Sequence, residues 1–443
     1  MAEETKLRRT LGPITLWGLG VGYVISGEYF GWNLGLPIGG SYGMLAATIL
    51  VTFMYVSFIL SYTELACAIP RAGGAFVYCA RAFGPLGGCV GGLVQIIEFV
   101  FAPPAIAMAV AAYIHQRFGG VPVEAIAIGA YLVFTGLNAW GVRQAALFEL
   151  VVTVLAVGEL LLFCGLTLPA FEWSNFSLAP LPNGYGGIFA CLPFAIWFYL
   201  AIEGVANAAE ETRDPQRNVA LGFGTAMLTL VILALAVFFS ATGVAGWEKI
   251  VYPTPGAEAS DAPLPLALAL VVGSDSAWYT LLLGVGLLGL IASFHGIILA
   301  AGRATFEFGR SGFVPAALAR IHPGSGTPRV ALAVNLVAGV IAILSGKTAD
   351  IITLACFGAV SLYILSMLAL IRLRRIEKDL PRPFMAVGYP YLAILALGLA
   401  TICLVALFYY NPEIGLLFLG LVGLGLAYYA LRGRHQVVAN WAD

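Results

Sequence analysis

The stretch VISGEYFGWNLGLP, residues 24 to 37, decides how this chain is read. It lies inside the first long apolar run, yet it holds Gly27, Gly31, Gly35 and Pro37, and a carboxylate, Glu28. Glycine loosens the backbone and proline removes an amide donor, so a helix is expected to break here. In lipid, a broken backbone is tolerated only where it is buried in protein or lines a cavity. An ionisable side chain at that depth marks a candidate functional site.

The rest of the chain supplies the bilayer. Of its 443 residues, 60% are hydrophobic and 10% charged, and the mean hydropathy of +0.94 excludes a water-soluble globule. A helix needs about 20 mostly apolar residues to cross the hydrocarbon. Twelve such runs are expected, at 13–38, 43–68, 86–114, 122–140, 144–169, 185–209, 219–246, 277–308, 329–346, 349–374, 385–409 and 412–431. With the N-terminus inside, nineteen of the 22 Lys and Arg residues fall on the cytoplasmic side, and only Arg117, Lys249 and Lys347 fall outside. That bias predicts two cytoplasmic termini and an even number of spans. The N-terminal run is too long for a signal-peptide core and reads as retained.

The composition also narrows the chemistry. The seven cysteines form no CxxC pair and suggest neither a disulfide framework nor a metal site. A net charge of −1 indicates no nucleic-acid partner. The absence of a nucleophile–base pair or metal-ligand cluster disfavours a membrane-embedded enzyme, and no soluble signalling domain supports a sensor. No cofactor is expected.

The sixth run, GGIFACLPFAIWFYLAIEGVANAAE, departs from a smooth helix in a way that matches the first. Pro193 is followed by Trp197, Phe198 and Tyr199, and then by Glu203 and Gly204. Interrupted segments at corresponding places in two halves predict an inverted-repeat transporter whose substrate site lies where the broken helices meet. The all-α membrane fold expected is a 5+5 repeat with spans 1 and 6 broken. Residues 1–170 form the first repeat, 171–376 the second, and 377–443 carry two extra helices and the tail. Pairs such as Gly18 with Gly22 and Gly88 with Gly92 are read as close helix packing. GLGVG at 18–22 lacks the flanking strand of a dinucleotide loop.

The broken first span, YTELACAIPRAGGAFVYCARAFGP (62–85), WFYLAIEGVANAAEETRDPQRNV (197–219) and AAGRATFEFGRSGFVP (300–315) together resemble the amino acid/polyamine/organocation superfamily of permeases. The combination is most similar to its bacterial ethanolamine permease branch. The resemblance covers at least ten spans and implies a leucine-transporter-type fold working by alternating access. In amino acid permeases of the superfamily, the first break reads like I-G-x-G-I-F and its bare amides hold the substrate carboxylate. The matching residues here are Ile25, Ser26, Gly27, Glu28, Tyr29 and Phe30, so Glu28 replaces the second glycine. A carboxylate at this position repels an anion and attracts a cation. The leading expectation is therefore import of ethanolamine or a similar small cationic amine across the cytoplasmic membrane, with an amino acid or polyamine permease as the alternative.

The candidate substrate residues are Ser26, Gly27, Glu28, Tyr29, Gln95, Glu98, Trp197, Phe198, Tyr199 and Glu203. The aromatics suit an ammonium through cation–π contact. Trp197 resembles a gating aromatic of related antiporters, and Glu203 matches an acidic position common in the superfamily. Glu159 falls near a lysine position of proton-coupled relatives, and His295 where sodium-coupled relatives place hydroxyl ligands. Both are candidates for coupling to a proton or sodium co-ion, alongside plainer roles as satisfied contacts between helices. Ser26, Gln95 and Ser361 are candidates for a substrate hydroxyl. Glu64 reads as scaffold. The loop EETRDPQRN (210–218) is, by resemblance, an inner gate closed by ion pairs or, more plainly, a solvated helix end. Membrane lipid is an expected partner, and oligomeric state is not readable.

Overall fold

A computed structural model describes residues 11–71, 73–141, 145–432, 434 and 436–437. The positions of Lys6, Arg8, Arg9, Arg143 and Trp441 lie outside these. The described chain is helical; its single β-type contact is an isolated bridge between Leu11 and Thr212.

The main helices in chain order are α1 (Pro13–Val24), α2 (Leu36–Ala68), α3 (Ala75–Phe118), α4 (Val123–Trp140), α5 (Ala145–Thr167), α6 (Leu192–Trp197), α7 (Pro215–Thr242), α8 (Ala277–Arg310), α9 (Arg329–Ile343), α10 (Thr348–Ile376), α11 (Tyr391–Tyr410) and α12 (Pro412–Leu431). Ten segments among the described residues are long and apolar enough to cross a membrane, two fewer than the twelve runs expected. The two that fall short have local causes. The first run is cut at Ile25, leaving α1 with 12 residues. The ninth begins after Pro328 and ends before the left-handed Gly346, leaving α9 with 15. A short apolar helix, Pro263–Val272, was not anticipated in the long connection between α7 and α8.

Both expected breaks are present. After α1 the chain makes one turn (Ser26–Tyr29), passes Gly31 at φ +90°, and resumes as a 3-10 turn over Trp32–Gly35. It then runs into α2, which is kinked at Gly40 (φ 67°). After α6 the chain turns over at Ala201 (φ 76°) and continues as a 3-10 helix over Ile202–Glu211. The sixth segment is wholly buried, whereas α12 is 11% buried, so the broken elements lie at the centre and the last helix at the rim.

Lipid tails are as apolar as leucine, so association between these helices depends on close packing and polar contacts. Gly18 of α1 meets Leu150 of α5, and Trp17 Nε1 donates to Thr229 Oγ1 at 3.0 Å. Glu64 serves as the scaffold expected of it. Its carboxylate takes Arg374 and Arg382 and accepts from the Ala386 amide at 2.7 Å, tying α2 to α10 and to the segment before α11. The Arg374 guanidinium lies 3.7 Å from the Tyr389 ring centroid.

Candidate functional site

The two breaks touch each other. A methyl group on Gly27 would sit 2.4 Å from the Trp197 carbonyl oxygen, and one on Gly31 would sit 2.4 Å from the Trp197 indole. Glycine at these positions therefore serves contact as well as flexibility. Phe30 meets Trp197 edge-on at 5.5 Å between centroids, and Trp32 stacks on Phe198 at 5.8 Å. The Gly31 amide is capped by Asn33 Oδ1 at 3.0 Å, which satisfies part of the unwound backbone from its own side chain.

Glu28 is fully buried at this junction, and neither carboxylate oxygen has a hydrogen-bond partner. Its backbone is engaged instead: the amide donates to the Ile25 carbonyl at 3.0 Å and the carbonyl accepts from Trp32 Nε1 at 3.2 Å. Trp197 Nε1 is likewise a buried donor without an acceptor. Ser26 bonds to Ser293 Oγ at 2.8 Å, and Ser293 donates to the Tyr23 carbonyl, which fixes the break against α8.

Two groups of residues extend from the junction. In one, Tyr29 donates to Glu159 Oε2 at 2.6 Å and contacts the Ala156 carbonyl at 3.2 Å. Glu159 then lines a small cavity, of about 10 Å³, with Tyr113, Phe163, Leu264 and Tyr279. The structure thus brings the coupling candidate Glu159 into contact with the first break.

In the other, Tyr199 bonds to Thr52 Oγ1 at 2.7 Å and its ring lies 5.2 Å from that of Tyr55. Tyr55 bonds to Tyr363 at 3.1 Å, and Tyr363 donates to Glu203 Oε2 at 3.1 Å. The Glu98 carboxyl lies against that of Glu203, close to the Ala201 backbone and the Tyr363 hydroxyl. Two contacting carboxyls in a dry interior form a place for one cation or one shared proton.

Gln95 does not join the junction. It accepts from the Phe76 amide at 3.2 Å and lines a separate small cavity with Gly92 and Phe308. His295 is buried against Asn138, whose Nδ2 lies 3.1 Å from its Nδ1, and so is held between helices α8 and α4. Ser361 is half-buried on α10. In the 210–218 loop, Glu211 pairs with Arg303 at 3.4 Å, and the backbone of Glu211 and Arg213 brackets Leu11. The side chain of Glu210 lies outside the described residues.

Tyr55 and Tyr363 escaped the sequence reading, because a tyrosine in an apolar helix carries no signal of its own. Glu149 escaped it as well, although it is an acid in an apolar run, the signal that singled out Glu159. Among the described residues, no group of three or more His, Cys, Asp or Glu side chains is arranged to hold a metal.

The comparisons agree with this architecture. Residues 21–418 match a family model described as amino acid permease. The chain is 31% identical to an uncharacterized transporter of Rhizobium meliloti (strain 1021), over 74% of this chain and 70% of that protein. It is 25% identical to the branched-chain amino acid permease BcaP of Bacillus subtilis (strain 168), over 89% of this chain and 87% of the relative. It is 26% identical to the methylthioribose transporter of the same organism, over 99% and 96% respectively.

Proposed function

Because the chain belongs to the amino acid permease family, we propose that it is a secondary transporter carrying a small amine-bearing solute, an amino acid, by alternating access at the junction of its two breaks. The observation that carries this reading is a complementary pair of unsatisfied groups. Glu28 offers two buried acceptors without donors, and Trp197 offers a buried donor without an acceptor. Unpaired buried polar groups cost about 1–3 kcal/mol each, so a ligand that supplies an ammonium to the first and an oxygen to the second satisfies both. An α-amino acid has both groups on adjacent atoms. Phe30, Trp32 and Phe198 supply apolar walls for its side chain.

Glu28 itself supports a second reading, a carboxylate-free amine such as ethanolamine, whose hydroxyl would take the Trp197 donor. A substrate carboxylate about 4 Å from an ionised Glu28 meets a repulsion of about 4 kcal/mol at an effective dielectric constant of 20. The family, with relatives named for branched-chain amino acids and for glutamate and serine, favours the first reading.

The same proposal includes a twelve-span topology. In it, α1 and the second half of the first span make one crossing and α9 makes another. The inverted repeats cover 1–170 and 171–376, and both termini are cytoplasmic. The arginines of 71–81, 213–217, 303–329 and 372–382 support that orientation. The membrane is then the cytoplasmic one.

Calorimetry of alanine and of ethanolamine against the purified chain, at one pH, separates the two readings. Alanine binding supports the first. Binding of ethanolamine alone replaces it with the second. In either case Glu28→Gln is expected to abolish saturable binding in a folded protein, and unchanged binding would remove Glu28 from the site.

A further inference from the structure

Helix α9 turns an apolar stripe outward, far from the junction. Val330, Val334, Val337 and Ile341 recur at steps of four and three residues, so they share one face, and Leu344 continues it. These side chains are between 38% and 67% exposed. Ala333 lies exposed beside them, and its small side chain leaves an open groove of about 430 Å³ lined by Arg329, Val330, Ala333, Val334 and Val337. The groove has an apolar length and one charged end.

That end is held in place but not neutralised. Arg329 Nε donates to the Ala139 carbonyl at 3.1 Å, an oxygen that Thr327 Oγ1 also reaches at 2.8 Å. The contact pins the guanidinium to the end of α4 and leaves both Nη groups for another acceptor. On α8, Arg303 and Arg310 are paired with Glu211 and Glu307, whereas among the described residues Arg329 has no carboxylate partner. No Asp or Glu occurs between Ser311 and Ala349, and the loop leading into α9 adds exposed Arg320 and His322.

The surroundings set the depth of this end. Trp140, next to Ala139, is 78% exposed, and an exposed tryptophan beside an arginine at a helix end marks headgroup level. The 15 residues of α9 rise about 22 Å, against about 30 Å of hydrocarbon. A short span is accommodated by a long basic side chain reaching from its end to the headgroups.

Charge chooses between the two occupants that such a stripe could take. A second copy in the same bilayer has the same orientation, so a two-fold contact along α9 sets Arg329 against Arg329, with no acid along 311–349 to offset them. A phospholipid of net negative charge meets the opposite condition, because its phosphate oxygens suit the guanidinium fork and its chain suits the valines.

We propose that the α9 groove is a binding site for an anionic phospholipid, with the phosphate on Arg329 and an acyl chain over Ala333 and Val334. The site rests on α9 lying in the bilayer, as in the topology above, and not on which solute is carried.

The purified full chain, as wild type, Arg329→Gln, Ala333→Trp and Arg432→Gln, is titrated with phosphatidylglycerol and with phosphatidylcholine of the same acyl chains, and bound lipid is counted by native mass spectrometry. The wild type is expected to hold one phosphatidylglycerol about tenfold more tightly than phosphatidylcholine, the scale of one charge-assisted contact. Arg329→Gln should lose that preference, and Ala333→Trp, which fills the groove, should weaken both lipids. Arg432→Gln, at the exposed end of α12, should match wild type. Equal affinity for the two lipids in the wild type, an unchanged preference in Arg329→Gln, or wild-type retention by Ala333→Trp overturns the assignment. A dimer that Ala333→Trp dissociates gives the groove to a second copy and overturns it as well. In vesicles, Val337→Cys is expected to resist a water-soluble maleimide; labelling there takes α9 out of the bilayer, so that the topology fails and the lipid site with it.

Discussion

Replacing Gly27 with alanine tests whether the two breaks form one site. The added methyl carbon would lie 2.4 Å from the Trp197 carbonyl oxygen and 3.1 Å from the Phe198 Cα, both backbone atoms that cannot rotate away. An ordinary carbon–oxygen contact is about 3.5 Å, so the breaks must part by roughly 1 Å or distort. Overpacking of this kind costs about 1–3 kcal/mol. If the cost falls on the conformation that binds solute, it weakens binding by about 5- to 150-fold. The assay is solute affinity by calorimetry, with thermal unfolding recorded in parallel. Gly129→Ala serves as the control, since nothing lies within 4 Å of a methyl group there. Wild-type affinity in a folded Gly27→Ala protein would refute the view that Trp197 and Gly27 bound one pocket.

Two other consequences follow from residues away from the junction. Glu64→Gln leaves the Arg374 and Arg382 guanidiniums without their shared carboxylate. Breaking a buried pair by removing one partner costs about 3–5 kcal/mol, which should appear as a clear loss of thermal stability in detergent; a melting temperature within error of wild type would contradict the scaffold role. Asp261, in the connection between α7 and α8, has its carboxyl pushed up to about 6 by burial, against the opposing hydrogen bond from Thr348. A carboxyl that holds its proton more tightly when folded favours the folded loop on the acid side. The contact should therefore weaken as pH rises from about 4 to about 6 and then level off. Hydrogen exchange over 252–262 should report this trend, and Asp261→Asn should flatten it; a wild-type loop equally protected across that range would contradict the sign.

Much of the membrane architecture was legible because it depends on composition taken in order. Apolar runs fixed where helices lie, and the Gly27, Gly31 and Pro193 signals located both breaks before any packing was known. The shortfall of α1 and α9 arises because a hydropathy run counts apolar residues and not unbroken backbone; α9 loses its last turn to the left-handed Gly346. The site was legible only in part. Glu28, Trp197 and Tyr199 stood out as candidates because they sit on the breaks themselves. The partner of Gln95 was not legible because a polar residue on α3 can face any of several neighbours, and here it caps the Phe76 amide.

The sequence by itself determined which chemical groups enter the membrane and at what approximate depth, since both depend on residue type and position along the chain. Only the tertiary structure decided which of those groups meet. Successive helical residues turn by about 100°, so the face a side chain presents is fixed by what packs there. That is why Glu98 meets Glu203 across two segments about a hundred residues apart, and why Tyr29 reaches Glu159. It is also why Glu149 found its place between Gly22 and Gly296.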